Sequence, residues 1–189
     1  MSQALRWPCW HDPFSMGSLA GTANTTMSDG NQSRILPENL FLDANQGPEA
    51  RPIWLVQEGQ DLDGIEGLTS AQRSWLRSMG FKGSPKKHLA VPGADGEIAG
   101  VVLGIGNGEK GEPCGPSILL AGQLASSLPQ GRYRFAGPLD APELAVIAWG
   151  LGAYRFRRYK SNNNSEPPPS LVLPAGADRP VVERIVEGI

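Results

Sequence analysis

From Arg51 onward the chain alternates short apolar runs with stretches whose apolar residues recur every three or four positions. Pro52-Ile53-Trp54-Leu55-Val56 is a short run of β-favouring side chains and predicts a buried strand. Thr69 or Ser70 can cap a helix that puts Trp75, Leu76 and Met79 on one face and ends at Gly80. His88-Leu89-Ala90-Val91-Pro92 predicts a strand, Ala94-Asp95-Gly96 its turn, and Ile98 to Ile105 the return strand. Glycine after aspartate tolerates the positive φ that a hairpin turn demands. Pro116 to Leu128 spaces Leu120, Leu124 and Leu128 by four, with Ala121 and Ala125 beside them, which predicts a helix packing one stripe.

After Pro129-Gln130-Gly131 comes an alternating strand, Arg132-Tyr133-Arg134-Phe135-Ala136. Asp140-Ala141-Pro142-Glu143 has the form of a capping box with proline in the first turn. The helix it opens carries Leu144, Ile147, Ala148 and Leu151 at i, i+3, i+4 and i+7, and runs into the aromatic and basic stretch Tyr154 to Lys160. Ser161 to Ser170, rich in Asn and Pro, reads as an extended or disordered loop. Leu171-Val172-Leu173-Pro174 predicts a further strand. Asp178 caps a last helix from Arg179, with Pro180 in its first turn and Val181, Ile185 and Val186 on one face. The order β-α-β-β-α-β-α-β-α predicts an α/β fold, a mixed sheet flanked by helices.

Residues 1–50 follow neither period. Trp7, Cys9, Trp10 and Phe14 are apolar but unpatterned among Ser, Thr, Asn and Gly, and such a segment buries too little surface to offset its ordering entropy. It reads as a disordered N-terminal tail without the apolar core of a signal peptide. Met27-Ser28-Asp29-Gly30 suits a natural start, so that 1–26 read as an over-long one.

Composition narrows the chemistry. With 17 Lys+Arg against 19 Asp+Glu, the net charge of -2 carries no general excess to attract a phosphate backbone. The two cysteines, Cys9 and Cys114, lie too far apart and too few to form a disulfide framework or a four-cysteine zinc site. No run approaches the roughly 18 apolar residues of a membrane span. These features describe a soluble protein of a reducing compartment.

The candidate motifs are individually weak. Gly104-x-Gly106-x-Gly108 follows a strand, but position 109 is Glu109, no helix starts there, and Lys110 is not in a Walker arrangement. A flexible turn is the simpler reading. Cys9, His11 and Asp12 could ligate a metal only with further ligands, and none is patterned nearby. His88 has no Ser, Cys or carboxylate partner in sequence to make it a general base, and Cys114 has nothing to lower its pKa. The ribbon Arg132, Arg134, Arg155, Arg157, Arg158 and Lys160 interleaves with Tyr133, Phe135, Tyr154, Phe156 and Tyr159. Cation plus stacking ring is how single strands are bound, while a strand with one solvated face and cations at a helix end explain the same pattern without nucleic acid. These residues assign no catalytic, cofactor-binding or metal-ligating side chain.

Two stretches taken together carry a resemblance. Gly131-Arg-Tyr-Arg-Phe-Ala136 and Leu144 to Tyr159 (LAVIAWGLGAYRFRRY) resemble the N-terminal domain of the leucyl aminopeptidase family, its peptidase-B-like branch especially. Pro52 to Val56 and His88 to Gly104 are similar to the family's early strands, so that the resemblance covers about 51–189. It implies a macro-domain-like α/β domain over 51–175, with 176–189 as the start of a linker helix to a missing catalytic domain. That second domain would hold two divalent metals, zinc or manganese, and members are cytosolic and typically hexameric. The family's NTDAEGR motif does not occur here, so no catalytic residue carries over and the chain is expected to be inactive alone. The face toward the missing domain is expected to expose Val181, Ile185, Val186 and Ile189. A free-standing macro-like ligand-binding module, or a nucleic-acid-binding domain using Arg132 to Lys160, is the alternative.

Overall fold

The computed structural model describes residues 36–37, 39–47, 49–107, 118–154 and 167–188. Six strands form one mixed sheet: β1 (Phe41–Leu42), β2 (Arg51–Gln57), β3 (His88–Pro92), β4 (Ile98–Gly106), β5 (Arg132–Phe135) and β6 (Ser170–Val172), in the order β1-β6-β5-β2-β4-β3. All neighbours pair in parallel except β3, which returns antiparallel to β4 through the Asp95-Gly96 turn. There Gly96 takes φ +85°, and the Gly93 amide donates to the Glu97 carbonyl at 2.7 Å. Four helices pack on the sheet: α1 (Ser70–Ser78), α2 (Gly122–Ser127), α3 (Pro142–Ala153) and α4 (Arg179–Glu187). The α/β class and the mixed sheet flanked by helices are as the sequence order predicts.

Strand alternation divides the core into two layers. Ile53, Val101, Leu103, Tyr133, Phe135 and Leu171 point to the layer shared with α2, α3 and α4. Trp54, Val56, Val91 and Val102 point the other way, where Leu76 of α1 and Leu62, Ile65 and Phe81 close a second layer. Trp54 also donates from Nε1 to the Glu66 carbonyl at 2.9 Å, tying the loop before α1 to the sheet.

Several expectations are corrected. The segment 36–50, assigned with 1–35 to a disordered tail, contributes β1 at the sheet edge, and Leu36, Leu40, Phe41 and Ala50 are buried. Two strand residues and a few anchors are too short to show a period. Arg179 fastens this edge by donating to the Phe41 carbonyl at 2.9 Å and to Asp43 at 3.0 Å. The helix expected over 116–128 is a 3-10 turn, Ile118–Ala121, followed by α2. The capping box expected at Asp140–Glu143 is absent: Ala141 holds the N-cap without a side-chain bond. A capping box does form at Thr69 and Gln72, where each side chain accepts from the other's backbone amide. Asp178 occupies the N-cap of α4 but makes no side-chain cap bond.

Arg77 of α1 pairs with Asp63 at 2.7 Å across a solvated surface. The hydrogen bond from Arg77 and its charge hold the Asp63 carboxyl below its usual 3.8. A lowered folded pKa contributes stability above the unfolded value and loses it as pH falls through the folded one. An NMR titration of Asp63 is expected to show a midpoint below 3.8 that returns to the ordinary value in Arg77→Met. Identical midpoints in the two proteins would contradict the pairing.

Candidate interaction surface

Helix α3 is apolar around its whole circumference, and its neighbours choose which face is buried. On one flank Gly152 meets the backbone of Gly122 in α2, and Gly122 meets Ala148 in return. On the other flank Gly150 lies under Val186 of α4 and the ring of Phe41. Small residues thus let α2 and α3 approach backbone to backbone and seat the Val186 side chain of α4 on Gly150, while Ala145, Val146, Trp149 and Ala153 are buried in the core shared with the sheet.

This corrects the expected stripe. Leu144 and Leu151 do not pack on the core but stand 42% and 40% exposed, seven residues apart and so on one side of α3. Tyr154, just past the last turn, is exposed too, as is Leu119 in the 3-10 turn before α2. On α4 the buried row is Val182 and Val186, whereas Val181 and Ile185 remain 36% and 39% exposed. The expectation of an apolar, outward-facing α4 therefore holds for Val181 and Ile185 and fails for Val186; Ile189 lies outside the described residues. Exposed large apolar side chains thus stand on two neighbouring helices, α3 and α4. The exposure of Leu144 and Leu151 was missed because a helix apolar on nearly every side has no periodic contrast, and its run of Gly and Ala was the available signal.

The other candidates separate clearly. In β5, Tyr133 and Phe135 are buried in the core while Arg132 and Arg134 are exposed. The rings are unavailable for stacking on bases, and Arg132 donates to the Gln46 carbonyl at 3.2 Å along an open groove of about 850 Å³. Arg155, Phe156, Arg157, Arg158, Tyr159 and Lys160 lie outside the described residues, as do Cys9, His11, Asp12, Gly108, Glu109, Lys110 and Cys114. Gly104 has a structural role: a Cβ there would collide with the Gly83–Ser84 backbone that crosses β4. His88 opens β3 beside the end of α1, with no carboxylate bonded to it among the described residues.

The two divalent metals that the resemblance implies are not matched by this part of the chain. Among the described residues no three His, Cys, Asp or Glu side chains come together as a metal site. Among them, too, no helix is long and apolar enough to cross a membrane.

Residues 51–174 match the family described as M17 aminopeptidase, N-terminal domain. The chain belongs to this family. No curated protein matches the sequence. Among solved structures it is similar to the cytosol aminopeptidase from Coxiella burnetii, with 23% identity and a TM-score of 0.64 over 79% of this chain and 31% of that one. Fainter likenesses are to a mutant of tomato leucine aminopeptidase (16% identity, TM-score 0.44, 78% of this chain and 34% of that one) and to the bottromycin maturation enzyme BotP (18%, 0.42, 74% and 29%). This M17 N-terminal domain thus spans about a third of the length of the Coxiella enzyme, and the likeness shows a shared fold.

Proposed function

We propose that this chain is the non-catalytic N-terminal domain of a leucyl-aminopeptidase-like metallopeptidase, one that removes N-terminal amino acids from peptides in the cytoplasm. Its work is to dock on a catalytic domain, where it supports subunit contacts in a homo-oligomer, hexameric as in the family, or shapes access to the active site. The observation that carries this reading is the set of exposed apolar side chains on α3 and α4 in a domain of this family. The catalytic domain is the fitting occupant because a related enzyme has two thirds of its length beyond the matched region. Metals bound in that domain would polarise the scissile carbonyl and supply hydroxide.

An antibody raised to residues 51–174 tests the reading on native material. The precipitate from source cells is expected to hydrolyse a leucyl peptide, with loss on chelation, and to contain a species several times larger than 20.2 kDa or the 20.2 kDa chain bound to a separate catalytic subunit. A lone 20.2 kDa chain without peptidase activity would overturn it.

The docking face gives its own prediction. Leu144→Lys with Leu151→Lys is expected to leave folding stability within about 0.5 kcal/mol, since surface changes away from packed features cost little. The same pair is expected to abolish co-precipitated peptidase activity. Unchanged activity with an unchanged fold would exclude this face.

A further inference from the structure

A cavity of about 300 Å³ lies between the end of α1 and the start of β3, on the opposite side of the sheet from α3 and outside the proposed docking face. That is the lower end of the size of small-molecule sites. Its lining has two characters: Met79, Phe81 and Leu89 supply apolar wall, and Lys86, Lys87 and His88 supply nitrogen.

Three observations suggest an anionic occupant. The ion pairs of the described residues are Arg77–Asp63, Arg179–Asp43 and Arg179–Glu183, so neither lysine is neutralised by a carboxylate among them. His88 lines the same cavity, and no carboxylate forms an ion pair with it among the described residues. The segment carrying the lysines is also fixed in place. Its carbonyls at Lys82, Gly83 and Lys87 accept from Gly59, Gly106 and Gly104, at 3.2, 3.2 and 2.8 Å. Gln123 of α2 donates to the Lys86 carbonyl at 3.0 Å.

Within that segment the Lys87 amide donates to the Ser84 carbonyl at 3.2 Å, closing a turn with Pro85 second and Lys86 third. Lys86 has φ +66°, the third-position geometry of a type II turn that favours glycine. It is the one non-glycine residue with positive φ among the described residues. A lysine is held at the cavity mouth where backbone geometry alone would select glycine.

We propose that this cavity binds a small organic anion, its carboxylate or phosphate head on Lys86, Lys87 and His88 and its apolar body against Phe81, Met79 and Leu89. The two head groups share the same recognition chemistry, and the test separates them.

Amide NMR spectra of the full chain are to be titrated with phenylpropionate, phenyl phosphate and inorganic phosphate. At least one of the two organic anions is expected to give saturable shifts over residues 79–89 with Kd at or below about 1 mM, and the tighter one identifies the head group. Inorganic phosphate, lacking the apolar body, is expected to bind at least roughly tenfold more weakly than the better organic anion. Lys86→Gly is expected to keep or raise the melting temperature, because it relieves the left-handed backbone, while weakening that binding severalfold. Lys87→Gln provides a second variant that leaves the turn untouched. The proposal is overturned if neither organic anion gives saturable shifts, if inorganic phosphate binds as well as both, or if binding is unchanged in both lysine variants.

Discussion

Trp149→Ala is expected to cost the domain about 3–5 kcal/mol, the usual penalty for removing a large aromatic side chain from a packed core. Trp149 is the largest fully buried side chain among the described residues and belongs to the helix-side layer. Its ring lies 6.2 Å from that of Tyr133 at a tilt of 44°, and its Nε1 donates to the Pro169 carbonyl at 3.3 Å. Tyr133 in turn donates to the Pro129 carbonyl at 3.1 Å, so the pair ties α3, β5 and the approach to β6 together. Against a total stability of about 5–15 kcal/mol for a typical domain, that loss is a large share of the whole. Trp149→Phe keeps most of the volume but strips the Pro169 carbonyl of its donor, and is expected to cost about 1–3 kcal/mol. Urea unfolding followed by far-ultraviolet dichroism checks both. A midpoint unchanged in Trp149→Ala would show that this layer is not the core.

Gly152→Ala is expected to destabilise by about 1–3 kcal/mol, and Gly152→Val by more, through overpacking of the α2–α3 contact. In an exposed helix the same Gly→Ala change would stabilise by roughly 1 kcal/mol through helix propensity. Here sterics win, because the added Cβ would overlap the carbonyl, carbon and Cα of Gly122, backbone atoms that cannot swing aside. Gly122→Ala meets the Ala148 carbonyl at 2.5 Å and is expected to behave alike. The two changes strain one contact, so the double variant is expected to cost less than the sum of the singles. A raised melting temperature in Gly152→Ala would mean that the helices are farther apart than described.

Much of the fold was legible because the strands are short apolar runs bounded by Gly, Pro and Asp, and because alternation of strand and helix with one hairpin implies a mixed sheet covered by helices. Pro52 to Val56 and His88 to Pro92 read correctly as short apolar runs, and Arg132 to Phe135 by its alternation of buried and exposed side chains. β1 was not legible: it is two residues long, and its burial depends on contacts with β6 and Arg179, far away in sequence. The faces of α3 and α4 failed for a different reason. Leu144 and Leu151 are as apolar as the residues that are buried, and the choice among them is made by Gly152 and Gly150, which let α2 and α4 close on the two flanks of α3. Of the candidate surfaces, the α4 face was half visible through Val181 and Ile185. The cavity beside His88 was invisible, because it depends on the left-handed Lys86 and on a segment folded over the ends of β2 and β4.

On the function proposed above, this domain carries no peptidase chemistry of its own and acts through a catalytic partner. The most direct test is the purified 189-residue chain with leucine p-nitroanilide and added Mn²⁺ or Zn²⁺. The account predicts hydrolysis no faster than with the metal alone. Saturable turnover that chelation abolishes and metal restores would contradict it.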